Sequence, residues 1–534
     1  MTEIAESTAR SENAPAAPPQ APSEHVSART WAAFVIMAFG MFMAILDIQI
    51  VASALTDIQA GISASADEIA WVQTSYLIAE VIMIPLSGIL ARIFSTRVVF
   101  SVSAAAFTAC SALCATATSI DQMIIYRALQ GFMSGGLVPA VFAVAFTAFP
   151  PSKRSTVIPV VGLVATMAPT IGPTIGGYLV DAFSWHWLFL INVVPGILVT
   201  IGAWLLIDFD RPDYSIMKHF DWFGLIAMAL FLGSLEYFLE EGNIEGWFQA
   251  DVIRYAFVIM VGAGIAFFYR SFTSRYPVVD LRAFGNFNFA VGSIFSFSLG
   301  IGLYGLVYLF PLYMARIRGY DALMIGETMF VTGAFMMATA PVAGILQNKL
   351  DPRVMMGIGL GLFALCTWQM THITAEWDYW ELFWPQAGRG VALMISMIPV
   401  SNIALGTLPP QDVKNASGLF NLTRNLGGAV GLAIINTLLS RRDDFHYDRL
   451  AASVDAASRT TQEWVGTLQG LYSSHGLDGE KAALLQLGRM VSQQAWLLAF
   501  IDVFVLLTVL FAFLTLCIFF VRKPKEGAGG GAGH

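Results

Sequence analysis

The sequence predicts an all-α membrane protein: fourteen transmembrane helices, arranged as two six-helix bundles plus an inserted helix pair. Three observations carry this reading. Apolar residues make up 56% of the 534-residue chain and charged residues only 12%, against about 25% charged in soluble domains. Apolar stretches near the ~20 residues needed to cross a bilayer begin at about 31, 69, 97, 121, 156, 187, 222, 251, 288, 323, 354, 379, 415 and 495. The chain is also written twice. Pro85-Leu86-Ser87-Gly88-Ile89-Leu90 with Arg97-Val98 returns 256 residues later as Pro341-Val342-Ala343-Gly344-Ile345-Leu346 with Arg353-Val354. Arg127, Gln130-Gly131, Pro139 and Pro150-Pro151 recur, offset by 259 or 260, as Gln386, Arg389-Gly390, Pro399 and Pro409-Pro410. Parallel repeats in an apolar chain point to two bundles rocking about a central substrate site, so transport is the leading expectation.

Residues 1–29, rich in Ala, Pro, Ser and Glu, read as a disordered tail. The first apolar run starts late and is long enough to span, unlike a cleaved signal peptide. Residues 30–208 form the first bundle, 209–287 the inserted pair (spans seven and eight) with its linker, and 288–521 the second bundle; 522–534 form a closing tail. The second bundle carries one long outer loop, 441–494, in which Thr461 to Leu471 and Gly479 to Val491 show roughly helical spacing. With the N-terminus inside, twelve Lys and Arg fall in inner loops, against Arg254, Arg316 and Arg318 outside, which sets the orientation and places both termini in the cytoplasm. Asp67, Glu68, Asp121, Asp181, Glu241, Glu245, Asp251, Glu376 and Asp378 collect on the opposite side.

The net charge of −8 is divided between two faces, with no nucleic-acid stripe. Cys110, Cys114, Cys366 and Cys517 lie in apolar spans, where they pack as small hydrophobes rather than as a disulfide framework. The seven histidines are scattered singly, without zinc spacing, and no nucleophile elbow or phosphate-binding loop occurs. A membrane enzyme is therefore disfavoured, and neither cofactor nor metal is expected.

Four sets of residues carry the expected mechanism. In span five, Ala168, Gly172 and Gly176 form a smooth stripe for close helix approach, while Pro169 and Pro173 on the adjacent stripe loosen the backbone ladder. Span thirteen keeps Gly427 and Gly431 but has no proline between Ser417 and Arg441, so bending is expected of the first half only. In span four, Arg127 lies at membrane depth with Gln130, Gly131 and Gly135, and Asp47 lies at similar depth in span one. A charge there needs a partner, so the two are expected to meet and Asp47 to change protonation during transport, with a static staple as the alternative. Glu80, Gln130, Gln386, Arg389, Asn421 and Arg424 are the cavity candidates, Arg424 being also placed to snorkel inward. Glu236, in the inserted pair, and Asp502, in the last span, are assigned peripheral structural roles. Finally, Gly88, Arg92 and Arg97 form a candidate gating loop after span two.

On these residues the chain resembles the major facilitator superfamily, and within it the fourteen-span drug:proton antiporters of the EmrB/QacA type, over nearly its whole length. The matches are Leu46-Asp47 with Ala54-Leu55, Arg127 with Gln130-Gly131, the Gly172-Pro173 to Gly176-Gly177 element, Trp185 to Val193, Trp384-Pro385-Gln386 and Leu408-Pro409-Pro410. The resemblance implies proton-driven export of hydrophobic or amphipathic compounds across a bacterial inner membrane, with Gly172 to Gly177 marking antiport. It also implies a periplasmic membrane-fusion adaptor and an outer-membrane channel, with the 441–494 loop as part of the adaptor contact. Two departures stand out. Ala91 occupies a position where the superfamily usually has a gating acid, and Arg389 stands where the EmrB pattern tends to be uncharged. If Arg389 faces the cavity, it favours anions. Export of a dedicated metabolite or fatty acid is the rival expectation.

Overall fold

The computed structural model describes residues 26–65, 68–454, 458–474 and 478–521. The tails beyond these bounds and Asp67 lie outside the described residues. Fourteen helices there are long and apolar enough to cross a membrane, and no strand occurs among the described residues. Spans one to six are Ala28–Ala52, Trp71–Phe94, Thr96–Cys114, Ile120–Thr147, Ser152–Ala182 and Trp187–Leu206. The inserted pair is Trp222–Glu241 and Asp251–Thr273; spans nine to fourteen are Phe287–Arg318, Met324–Gln347, Pro352–Met370, Tyr379–Leu405, Gln411–Ser453 and Gly479–Cys517. In hydrocarbon every backbone polar group must be satisfied within the segment, which is why these apolar runs are helices. Polar residues mark the ends: Ser27, Ser119, Asp321, Asp351 and Asp478 each accept a backbone N–H at the start of a helix.

Three local features differ from the sequence reading. Span four is interrupted at Gly135-Gly136, where a side chain on Gly135 would strike the Glu80 carbonyl and one on Gly136 the Ser103 hydroxyl. The candidate gating loop is almost entirely helix: span two runs to Phe94, span three starts at Thr96, and Ser95 alone turns the chain at φ 80°. The long loop 441–494 is also mostly helix. Spans thirteen and fourteen are 43 and 39 residues long, about 65 and 58 Å at 1.5 Å per residue, roughly twice the ~30 Å hydrocarbon core. A separate helix, Arg459–Ser474, packs against the latter. Asp502 ties the two long helices together, accepting from Arg442 Nε at 2.5 Å and pairing with His446 Nε2 at 2.8 Å.

Glycines set how closely the spans approach. A methyl group on Gly172 would meet Gln49, and one on Gly176 would meet Ile50 and Ser53, so span five lies directly on span one. The second half repeats this, with Gly427 on Phe297 and Gly431 on Ile301 joining spans thirteen and nine. Span five is one unbroken helix from Pro151 to Ala182 despite its internal prolines. Its other face meets span ten, where Thr174 donates to the Gly326 carbonyl at 3.1 Å.

Candidate functional site

A buried charge network fills the first bundle. Asp47 and Arg127 are both fully buried. Arg127 Nη1 donates to Asp47 Oδ2 at 2.6 Å and to Gln130 Oε1 at 2.8 Å, and its Nε donates to the Val72 carbonyl at 3.1 Å. Asp47 Oδ1 accepts from Gln130 Nε2 at 3.1 Å and Asn192 Nδ2 at 2.7 Å. The spacing of Arg127 and Gln130 puts both on one face of span four, and Gly131 lets span two approach, since a methyl there would strike the Tyr76 carbonyl. The Tyr76 ring then lies 4.2 Å from the guanidinium. Asn192, in the sequence only one residue of the Trp185 to Val193 run, is a direct partner of Asp47, further held by Ser111 at 3.2 Å. Its signal was an amide at the start of an otherwise apolar span.

Behind this network, across span one, lies a cavity of about 510 Å³ bounded by spans one, two, five, seven, nine, ten and thirteen. It occupies the end of the bundle remote from the start of span one. Glu80, Pro173 and Gly177 line it, while Gly172 and Gly176 face span one instead. Among the described residues no lysine or arginine lines it.

Most of the cavity candidates lie elsewhere. Gln130 belongs to the charge network. Gln386 accepts from Thr332 Oγ1 at 2.8 Å inside the second bundle. Arg389 is buried against the Phe310 ring at 4.9 Å, and none of its guanidinium nitrogens has a hydrogen-bond partner among the described residues. It does not face the cavity, so the expected bias toward anions loses its basis. Asn421 donates to the Ser417 carbonyl at 2.8 Å and accepts from Arg424 Nη2 at 2.8 Å. Arg424 points at the Phe142 ring in the opposite half, 5.4 Å away, and does not snorkel. Conversely, Glu236, read as peripheral, lines the cavity with Glu240 and Asn425. The inserted span seven reaches it by packing on span two, where Trp71 stacks on Tyr237 at 5.4 Å and Thr74 Oγ1 donates to Glu241 Oε1 at 2.8 Å.

The halves close against each other at the end where span one begins. A side chain on Gly88 would strike the Lys414 carbonyl, and one on Gly418 would meet Ile84 and Pro85. Phe142 and Phe420 pack at 6.0 Å across the same seam. The charged contact here comes from neither Arg92 nor Arg97, the one exposed and the other half-buried. Asp210, just after span six, forms an ion pair with Lys414 and accepts from the Thr96 N–H at 3.0 Å and hydroxyl at 2.8 Å. It thus ties the start of span three, beside the Ser95 turn, to span thirteen of the second half.

Residues 37–432 match the family model described as Major Facilitator Superfamily. The chain is 43% identical to the colistin resistance protein EmrB of Acinetobacter baumannii, over 93% of this chain and 97% of that one. It is 29% identical to the multidrug export protein EmrB of Escherichia coli, covering 93% and 96%, and 29% identical to the fatty acid resistance protein FarB of Neisseria gonorrhoeae, covering 93% and 98%. Among solved structures, the human organic anion transporter MFSD10 aligns with a TM-score of 0.58 at 12% identity, covering 92% of this chain and all of that one. That likeness speaks to the fold alone.

Proposed function

The chain belongs to the major facilitator superfamily, as an EmrB-like multi-pass membrane transporter rather than an enzyme, and on that premise we propose that it is a proton-coupled antiporter exporting amphipathic drugs across a bacterial inner membrane. The observation that carries the coupling is the Asp47–Arg127 pair, sealed in the first bundle while Ile48 and Gln49, next in the chain, line the cavity. Span one therefore presents a protonatable carboxylate on one side and a substrate wall on the other. Protonating Asp47 removes the charge that holds Arg127, Gln130 and Asn192 in place, so the network relaxes and span one is free to shift against Gly172 and Gly176. A rearrangement that separates the guanidinium from Asp47 favours proton uptake in turn. With the closed end cytoplasmic, the cavity opens outward, and the Asp210–Lys414 pair holds the cytoplasmic end shut. One proton crossing ~100 mV releases roughly 2.3 kcal/mol, sufficient for about a fifty-fold gradient of a neutral substrate.

The helical extensions of spans thirteen and fourteen stand clear of the bilayer and give a periplasmic adaptor, itself joined to an outer-membrane channel, a rigid surface to grip. Everted vesicles provide the test: drug accumulation driven by an imposed proton gradient, expected in the wild type and lost in Asp47→Asn. Undiminished gradient-driven accumulation by that variant refutes the coupling role.

A further inference from the structure

We infer that the cavity selects a cationic group, and that the inserted helix pair supplies most of that selectivity through Glu236 and Glu240. This rests on reading the cavity as the substrate site. Glu236 and Glu240 are one turn apart on span seven and share a face; with Glu80 of span two, they put three carboxylates on the wall of one space. Glu80 is 4% exposed and Glu236 5% exposed, and neither has a hydrogen bond or ion pair among the described residues. A buried acid left without a partner is costly, and here both point into a space roomy enough for a drug-sized ligand. Neither positive group nearest Glu80 lines the cavity: Arg127 is paired with Asp47, and Arg424 donates to Asn421 and lies against Phe142, with no ion pair among the described residues.

The rest of the wall states the remainder of the ligand. Tyr304 and Tyr308, one turn apart on span nine, line the same space, with Val307, Leu312 and, from span thirteen, Leu432. Aromatic faces attract a cation, and the leucines and valine take an apolar body. An onium or amine head carried on an apolar frame satisfies both halves of this wall, whereas a carboxylate head finds three acids and, among the described residues, no basic side chain on the lining.

Two probes of the same shape and opposite charge test this: tetraphenylphosphonium and tetraphenylborate, measured by equilibrium binding to the purified transporter in lipid nanodiscs. The cation is expected to bind at least about tenfold more tightly than the anion, and Glu236→Gln and Glu240→Gln each to weaken cation binding about tenfold, the scale of a charge-assisted contact. Thermal unfolding of each variant is followed alongside; should one variant fail to fold, the other decides. Equal binding of the two probes, or variants that bind the cation like wild type, overturns the inference. Glutamate-dependent cation binding without gradient-driven transport overturns the exporter reading instead and leaves the inference standing. Transport of drugs irrespective of charge does the reverse.

Discussion

In the first bundle the guanidinium of Arg127 meets a carboxylate; in the second, the guanidinium of Arg389 meets a phenyl ring. The repeat explains the contrast. Gln49 and Ser53 lie against Gly172 and Gly176 in one half, and Phe297 and Ile301 lie against Gly427 and Gly431 in the other, which makes Phe295 the repeat counterpart of Asp47. Span twelve also reverses the order of the polar pair, Gln386 before Arg389 where span four has Arg127 before Gln130. Spans four and twelve thus each keep a buried arginine, but among the described residues only that of span four has a counter-ion. The half with the acid pairs its guanidinium with a carboxylate, and the half without it sets its guanidinium against an aromatic face, where cation–π attraction of about 2 kcal/mol offsets part of the desolvation.

The contrast is broken most directly by removing each arginine. Arg127→Met leaves Asp47 buried and uncompensated and is expected to cost about 3–5 kcal/mol and to abolish export. Arg389→Met removes a charge that lacks an acid and is expected to be neutral or to stabilise by about 1–4 kcal/mol. Thermal unfolding in detergent measures both, and equal losses would mean that the halves are energetically alike after all.

The glycine contacts sharpen the comparison at a smaller scale. Gly427→Ala drives a methyl into the Phe297 carbonyl, whereas Gly172→Ala meets chiefly the Gln49 side chain; overpacking of this kind costs about 1–3 kcal/mol. The second-half variant is expected at the upper end of that range and the first-half variant at the lower, read from the same melting curves. Between the halves, Lys414→Ala breaks the ion pair with Asp210. It is expected to change the melting temperature little, because both groups are partly exposed, while increasing labelling of a cysteine placed at the closed seam. Unchanged labelling would assign closure to Gly88 and the Phe142–Phe420 contact alone.

The smallest effect concerns the entry to the paired spans four and twelve, capped by Ser119 and by Asp378. The Tyr320 hydroxyl and then the Tyr379 N–H donate to Asp378 and hold its carboxyl below the usual range. A carboxylate with a depressed folded pKa contributes stability above its unfolded pKa and loses it as pH falls through the folded value. Asp378→Ala is accordingly expected to lower the melting temperature slightly at pH 7, the gap to wild type closing in acid. Ser119→Ala is expected to show a gap independent of pH.

Much of this was legible in the chain. Fourteen spans follow from length and apolarity, because hydrocarbon admits little else. A deep acid and a deep base predicted each other, because each is costly alone, and Asp47 and Arg127 do meet at 2.6 Å. Helices inside the 441–494 loop were visible in its spacing, although their fusion with the spans was not. Of the cavity candidates only Glu80 lines the cavity, Gln130, Gln386, Arg389, Asn421 and Arg424 lying elsewhere, and Glu236, assigned to the periphery, lines it. The Asp210–Lys414 contact joins residues two hundred positions apart and left no local mark.

What the sequence alone determined is therefore the number of spans, their repeat and the existence of paired charges at depth, since each is dictated by the solvent the chain must cross. Which way each helix is turned was decided only by tertiary packing. A membrane helix is apolar on all sides, so its pattern does not say which side faces a neighbour, lipid or a cavity. Glycine contacts and the packing of span seven on span two make that choice, and with it they decide that Glu236 faces the cavity and Arg389 does not.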